Sequence, residues 1–170
     1  TLLNARWLPD GRRVMVRARN GEGRPRLYVL DVDGNGTHAV TPDGVAVGAT
    51  GWSLSPDGRM VAVSTEHGAE LFAVEGGAPG RVPNTSGHSR VVGWIESGLL
   101  ISDDPSAAGA VFLVDPATGR RSTWADIQPR DPSGIMHLNL SSLVVTPDGR
   151  GYGYSWHRAT SDLYLVTGWR

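Results

Sequence analysis

A four-residue pattern occurs four times in this 170-residue chain and constrains its fold more than any other feature. Each copy reads aliphatic, aromatic, small or aliphatic, aliphatic, and the aromatic residues are Tyr28, Phe72, Phe112 and Tyr164. These aromatic residues are 44, 40 and 52 positions apart. Repeats of that length are typical of supersecondary units that stack side by side, because one such unit cannot bury its apolar surface alone. The sequence therefore predicts four similar units.

A second repeated element has the composition of a tight turn. The tetrapeptide Pro-Asp-Gly-Arg begins at Pro9, Pro56 and Pro147, and Glu96 begins the corresponding segment of the third unit. Proline presets φ, aspartate bonds to nearby backbone, and glycine accepts a positive φ. Two residues before these positions stand, in chain order, Trp7, Leu54, Trp94 and Val145. The aromatic pattern begins 20, 17, 17 and 18 residues later, so the two markers keep a nearly constant spacing.

The segments between the markers have the pattern of short β-strands. The chain holds 23 glycines and 11 prolines, spread between short apolar runs as turn punctuation. After the first turn, Val14, Val16 and Ala18 alternate with Met15 and the arginines, as in a strand with two distinct faces. Each unit is therefore predicted to contain four antiparallel strands, with the aromatic pattern on the third.

These observations predict an all-β fold with four sheets in a radial array. The units are expected at about 1–44, 45–87, 88–135 and 136–170, and the last is expected to have three strands because the chain ends after its third. The four residues that precede the turns and the four repeat aromatics are expected to form the core between sheets. The whole chain is then one domain.

Composition removes several classes of function. The chain has no cysteine, which excludes disulfides and thiolate metal sites. Its net charge is −1, which gives no general attraction to nucleic acid. No apolar run approaches the roughly 20 residues that a membrane helix needs, so this segment is expected to make no membrane contact.

The charge is nevertheless distributed unevenly along the chain. Residues 1–26 hold seven arginines and two acidic residues, a net charge of +5, and the remainder carries −6. Opposite charges on adjoining surfaces favour association. The first unit is therefore expected to dock against an acidic neighbour.

The repeat resembles the blade of a known family. Trp-x-Pro-Asp-Gly-Arg at 7–12, alternating apolar residues, and Leu-Tyr-Val-Leu-Asp-Val-Asp-Gly at 27–34 are similar to the blade repeat of TolB-like, WD40-like bacterial β-propellers. The resemblance covers essentially the whole chain as four blades. The stretch 152–170 is similar to the C-terminal end of propellers attached to bacterial serine/threonine protein kinases and to some membrane-bound transcriptional regulators. Such propellers usually have more than four blades, so the resemblance implies the C-terminal part of a longer propeller.

The resemblance implies a non-catalytic sensor or protein-interaction module of a bacterial signalling protein, associated with a kinase. It also implies a position on the extracytoplasmic side of a membrane-anchored parent. Two alternatives stay open: a periplasmic TolB-type envelope scaffold, and an accessory propeller of a serine peptidase or another hydrolase. The expected partner is a protein or a second copy of the chain that completes the ring, because an incomplete ring leaves blade faces and a strand edge open. No nucleic acid and no cofactor are expected.

Candidate binding residues cluster in the predicted second-to-third-strand loops and in the connections between units. Both kinds of connection emerge at the same end of a propeller, and loops on a rigid scaffold often carry binding. The candidates are His67, His88, Arg90, Asp103, Asp104, Arg130, His137, His157 and Arg158. No pair among them has metal-ligand spacing, so solvated loop residues are the simpler interpretation and no metal is predicted.

Two further motifs carry no site. Asp31, Asp33 and Asn35 match the first half of a calcium loop, but the twelfth position is Pro42, so a hairpin turn is the favoured interpretation. The segment around Ser155 lacks the last glycine of a hydrolase nucleophile elbow. No catalytic residue is predicted in this chain.

Overall fold

The computed structural model describes residues 1–19, 21–48, 51–103, 109–131, 133 and 135–159, and for 135–139 and 141 it describes the backbone alone. Within these ranges every regular element is a β-strand. The described residues include no helix that could cross a membrane. The prediction of an all-β fold is confirmed.

The strands form four separate antiparallel sheets, each in simple chain order. Sheet 1 contains β1 (Leu2–Trp7), β2 (Arg13–Ala18), β3 (Arg26–Asp31) and β4 (Thr37–Ala39). Sheet 2 contains β5 (Trp52–Leu54), β6 (Met60–Thr65), β7 (Gly68–Ala73) and β8 (Gly80–Arg81). Sheet 3 contains β9 (Arg90–Ile95), β10 (Gly98–Ser102), β11 (Ala110–Val114) and β12 (Arg121–Asp126). Sheet 4 contains β13 (Ile135–Val145) and β14 (Tyr152–Arg158), and its predicted third strand at 163–166 lies outside the described residues.

The Pro-Asp-Gly-Arg segments form the turns between first and second strands. In sheet 2 the Asp57 Oδ1 accepts hydrogen bonds from the Ser55 hydroxyl at 2.6 Å and from the Arg59 backbone N–H at 3.0 Å. Gly58 adopts a φ of +70°, a conformation that favours glycine because it has no Cβ. The Asp31–Gly36 segment is a hairpin turn between β3 and β4, closed by the Asp31 N–H bonding to the Gly36 carbonyl at 3.0 Å.

Successive sheets pack face to face. We call the face of each sheet that points to the next sheet its forward face, and the opposite face its backward face. In β6, Val61 and Val63 point backward to sheet 1 while Ala62 points forward to sheet 3, and all three are 0% exposed. Because successive side chains of a strand point to opposite faces, one sheet buries its two faces against two different neighbours.

Three hydrophobic clusters fill the spaces between consecutive sheets. The first joins Met15, Leu27 and Val29 of sheet 1 to Trp52, Val61 and Phe72 of sheet 2. The second joins Ala62 and Ala69 to Leu99 and Ile101. The third joins Ile95 and Leu100 of sheet 3 to Leu140 and Leu143 of sheet 4. Because each cluster involves only two adjacent sheets, the sheets follow one another in a radial array, as predicted.

The repeat residues divide according to whether a preceding sheet covers them. Leu54, Trp94 and Val145 pack against the first, second and third clusters, and Phe72 and Phe112 lie in or against the first and second. Trp7 does not belong to the core as expected: it is 62% exposed, and Tyr28 is only half-buried. The physical reason is that both side chains point to the backward face of sheet 1, and no described sheet packs on that face. Tyr164 lies outside the described residues.

Arg13 and Arg17 of the first sheet contact residues that follow it in the chain, in the second unit. Arg13 forms an ion pair with Asp10 at 2.7 Å and another with Glu75, which follows β7. Both hydrogen bonds raise the pKa of Arg13, and the bond to Glu75 has the larger effect. The Arg17 Nε donates to the Val47 carbonyl at 2.8 Å. An acidic residue of the second unit therefore pairs with the basic first unit.

Hydrogen bonds hold the pKa of the turn aspartates below its usual range. The largest cause is the Ser55 hydroxyl for Asp57, the Thr146 hydroxyl for Asp148 and the Arg12 backbone N–H for Asp10. All three carboxylates accept these bonds in the same kind of turn. The ionised form is therefore favoured by folding at three equivalent places.

The free energy of unfolding should consequently fall in acid. A carboxyl whose pKa is lower in the folded chain stabilises it fully above the unfolded value of about 4, and this contribution disappears as the pH falls through the folded value. Urea denaturation at about pH 7 and about pH 3 measures the change. The Asp57→Asn variant should show a smaller change than the parent chain, and equal changes would contradict this account of the turn.

Two turn glycines give a matched test of close packing between sheets. Alanine at Gly11 or Gly58 would take a φ of +66° or +70°, a strain of about 1–2 kcal/mol. A Cβ at Gly58 would also lie 2.5 Å from the Pro9 Cδ, whereas at Gly11 it would meet nothing within 4 Å. Gly58→Ala should therefore lower the free energy of unfolding by about 1–3 kcal/mol more than Gly11→Ala. Equal losses in urea denaturation would show that the turns of sheets 1 and 2 do not touch.

Phe72 tests the packing between sheets 1 and 2 directly. It is 1% exposed within the first cluster, so Phe72→Ala should lower the free energy of unfolding by about 3–5 kcal/mol. Val32, which is 55% exposed in a turn of sheet 1, provides the control, and Val32→Ala should change stability by less than about 0.5 kcal/mol. Chemical denaturation that found the two variants alike would contradict the assignment of this cluster as core.

Candidate interaction site at the propeller axis

The first strands of the four sheets surround a common cavity of about 330 Å³, which we call the axial cavity. Three of the turns between first and second strands contribute a proline to its lining. Its lining residues are Arg6, Trp7, Pro9, Ser53, Leu54, Ser55, Pro56, Val92, Gly93, Trp94, Leu143, Val144, Val145 and Pro147.

Strand register shows that each sheet contributes the same two positions to this cavity. Trp7, Leu54, Trp94 and Val145 are paired with Val14, Val61, Leu99 and Tyr152 of the second strands. The residues just before them, Arg6, Ser53, Gly93 and Val144, are paired with Met15, Ala62, Leu100 and Gly153. Paired residues point to the same face of a sheet, so the first set points backward and the second forward. The sequence repeat therefore continues as a structural repeat around the axis.

The walls of the axial cavity are mainly apolar and aromatic. Trp7 and Trp94 contribute two indole rings, and Pro9, Pro56 and Pro147 add rigid rings from three equivalent turns. Tryptophan offers a large contact area at a small loss of side-chain entropy, which is why it is frequent in protein contacts. Such a surface suits the binding of another polypeptide.

Arg6 places one cation in the axial cavity. Its guanidinium Cζ lies 4.9 Å from the ring centroid of Trp52, within the range of a cation–π contact. Burial lowers the pKa of Arg6, but arginine starts so high that it stays charged at neutral pH. Among the ion pairs of the described residues, none involves Arg6. The cavity therefore combines apolar walls with a cation that has no carboxylate partner in the described part of the chain.

The lining offers binding groups and lacks the parts of an acid–base catalyst. No histidine, aspartate or glutamate is among the lining residues, all of which belong to the described part of the chain. The hydroxyl of Ser55 is already bonded to Asp57, at 2.6 Å. A nucleophile needs a neighbouring base to activate it, and the lining supplies none.

Of the candidate residues predicted from the sequence, none that the structure describes lines the axial cavity. His67, His88, Arg90, Arg130 and His157 are exposed. For His137 only the backbone is described, and it is paired with His157 in register. Asp104 lies outside the described residues. No group of three metal-ligating side chains occurs within the described ranges.

Two of these candidates are held in local contacts. Asp103 accepts hydrogen bonds from the Ser89 hydroxyl at 2.9 Å and from the Arg121 Nη2 at 2.7 Å. Arg158 donates to the Asp131 carbonyl at 2.7 Å and lies 3.0 Å from its carboxylate. Asp103 thus links the segment after β10 to Ser89 and to the start of β12, and Arg158 links the end of β14 to the segment after β12. The structure does not bring the nine candidates into one site.

Arg6, Ser53 and the three turn prolines were missed as candidates from sequence. The available signal was positional: each stands beside a repeated turn, on or next to the innermost strand of its unit. In a radial array the innermost strands share one axis, so equivalent positions on them must meet. The loops were predicted to bind a ligand because they contain histidines. The repeat instead brings the axial positions together.

Comparison with known proteins gives relatives in structure alone. Neither the models of known protein families nor the sequences of curated proteins match this chain. The crystal structure of TolB from Acinetobacter baumannii is similar, with a TM-score of 0.67 and 14% identity over 95% of this chain and 39% of that one. A putative TolB from Agrobacterium tumefaciens has a TM-score of 0.61 and 18% identity over 95% of this chain and 62% of its own. The chain thus spans less than two thirds of either neighbour, and at these identities the likeness shows that its sheets have the fold of part of a TolB-type β-propeller.

Proposed function

We propose that this chain is a non-catalytic β-propeller module that binds a protein partner, and that the axial cavity is its contact site. The observation that carries the proposal is the composition of the cavity: two tryptophans, three prolines and one cation without an ionic partner, with no acid–base group in the lining. Aromatic residues and arginine are the residue types that contribute most to protein interfaces. A rigid scaffold holds them in place before the partner arrives, which lowers the entropy lost on binding.

Within this proposal the parent is a bacterial signalling protein in which the propeller senses or docks a partner for an attached serine/threonine kinase. The support is the similarity of the stretch 152–170 to the ends of kinase-associated propellers. A periplasmic TolB-type scaffold is the second candidate, favoured by the structural neighbours. The complete reading frame separates the two: the first expects a kinase domain in the same polypeptide, and the second an export signal without one.

Site-specific photocrosslinking tests the contact site. A photoreactive phenylalanine analogue would replace Arg6 in the axial cavity or, as the control, Arg59, whose side chain is 85% exposed in a turn of sheet 2 outside the cavity. In native cells, position 6 should crosslink to one defined protein that position 59 does not capture. Binding of that protein, once purified, should weaken about tenfold or more in Arg6→Gln, in line with the loss of an interfacial charge, and less in Arg6→Lys.

Two outcomes would contradict the proposal. One is equal crosslinking at positions 6 and 59, which would indicate nonspecific contact with the protein surface. The other is a product at position 6 that contains only copies of this chain. In both cases circular dichroism of the substituted proteins must first show that they are folded.

A further inference from the structure

The backward face of sheet 1 is apolar and partly open: Tyr28 and Leu30 are half-buried, and Val16 is 5% exposed. Val16, Tyr28 and Leu30 line a groove of about 280 Å³ on this face together with Leu2, which is 63% exposed. Trp7 extends the same face toward the axis and is 62% exposed. Large apolar side chains grouped in this way on a protein surface mark a contact site.

The repeat shows what kind of surface covers this face. Val14, Val16, Tyr28 and Leu30 stand at the positions that Val61, Val63, Phe72 and Val74 hold in sheet 2. In sheet 2 those four residues are 0–1% exposed, because the forward face of sheet 1 lies on them. The backward face of sheet 1 therefore has the composition of a surface that receives the forward face of a sheet of this same repeat.

In the described part of sheet 4, β14 places small residues on the forward face. Tyr154 packs toward sheet 3, so Gly153 and Ser155, its neighbours in β14, point forward. They stand at the positions of Ala62 and Ser64, the small residues that receive the large backward face of sheet 3. Val144 is paired with Gly153 and is 67% exposed, so the face is open at this position.

Charge opposes the pairing of two like faces. Residues 1–26 carry a net charge of +5, and a contact between two first sheets would bring two such segments together. Like charges that face each other across an interface weaken it. A contact from sheet 1 to sheet 4 avoids this repulsion and also places large residues against small ones.

We propose that two copies of this chain associate head to tail, with the backward face of sheet 1 of one copy on the forward face of sheet 4 of the other. The proposal concerns the outer sheet faces and does not rest on the proposed function of the axial cavity. A head-to-tail contact uses two different surfaces, so it closes into a ring or continues to further copies according to its rotation. In either case the associated form contains at least two copies.

An internal contact shows which residues should meet across the interface. Between sheets 2 and 3 the Val91 N–H donates to the Ser64 hydroxyl at 2.8 Å. Ala5 is the equivalent of Val91, because Ala5 is paired with Val16 as Val91 is paired with Ile101. Ser155 is the equivalent of Ser64, because each follows the glycine of its turn by six residues. The side chain of Ser155 in one copy should therefore lie beside Ala5 of the other.

Engineered disulfides test this register, because the natural chain has no cysteine. Ala5→Cys and Ser155→Cys, both at exposed positions, would be purified separately, mixed and oxidised mildly. The expected main product is a covalent pair that joins position 5 to position 155, identified by mass spectrometry of the linked peptides. Ser97→Cys, at an exposed turn of sheet 3, is the control and should not link to Ala5→Cys above the level of random collision.

Light scattering on the unmodified chain gives a second, independent measurement. At micromolar concentration it should report a mass of at least two copies. Gly153→Arg should raise the dissociation constant about tenfold or more by placing a charge in the contact, since a buried charge without a partner is costly. Gly153 has ordinary backbone, and a Cβ there would meet Val144 at 3.5 Å, a normal contact, so the variant should fold. Ser97→Arg, the matched control, should leave the mass unchanged.

Either of two results would overturn the proposal. The first is a monomeric mass for the unmodified chain at every concentration tested. The second is a main product that links position 5 to position 5, which would show that like faces pair. The first result does not depend on any variant, so the proposal can fail even if a substituted chain does not fold.

Discussion

The packing of one sheet face on the next is the interaction on which the rest of this structure depends. Each sheet is too small to form a core alone, and the second strands of sheets 2 and 3 bury apolar residues on both sides. In β10 all five residues from Gly98 to Ser102 are buried, which is possible only because sheets 2 and 4 lie on its two faces. Burial of about 25 cal/mol per Å² of apolar surface favours this arrangement over separate sheets in water. The radial array and the axial cavity both follow from the repetition of that contact.

The turns make such close packing possible. A β-carbon at Gly58 would lie within 2.5 Å of Pro9, and one at Gly149 within 2.7 Å of Ile95. In both places glycine serves two purposes, a left-handed backbone and a close approach to the preceding sheet. The repeated Pro-Asp-Gly-Arg segment is therefore more than a local turn signal, because its glycine also sets how near two neighbouring sheets can come.

Much of the fold could be predicted from sequence because the repeat contains it. Phe72, Leu54 and Trp94 could be placed between sheets from their spacing alone, and their packing agrees with that placement. Trp7 and Tyr28 could not, because burial depends on a neighbouring sheet as well as on the residue itself. The candidate contact site was harder to predict. Arg6 and Ser53 have no special local motif, and only the convergence of the innermost strands gives them a common cavity. The histidines and acidic residues of the loops had suggestive chemistry, but Asp103 is bonded to Ser89 and Arg121.

The linear order of the contacts has a consequence for how this protein opens. Sheets 2 and 3 are each held from two sides, whereas sheets 1 and 4 have one described neighbour each. In arrays whose units touch only adjacent units, the free energy of unfolding is the sum of the stabilities of the units and of the interfaces between them. Units with one interface are therefore the least protected. In a single, unassociated copy of these four sheets, local unfolding should accordingly start at the outer sheets and move inward, with amide protons of β6 and β10 exchanging last. The same repeat thus gives two kinds of sheet, two inner ones protected on both faces and two outer ones protected on one.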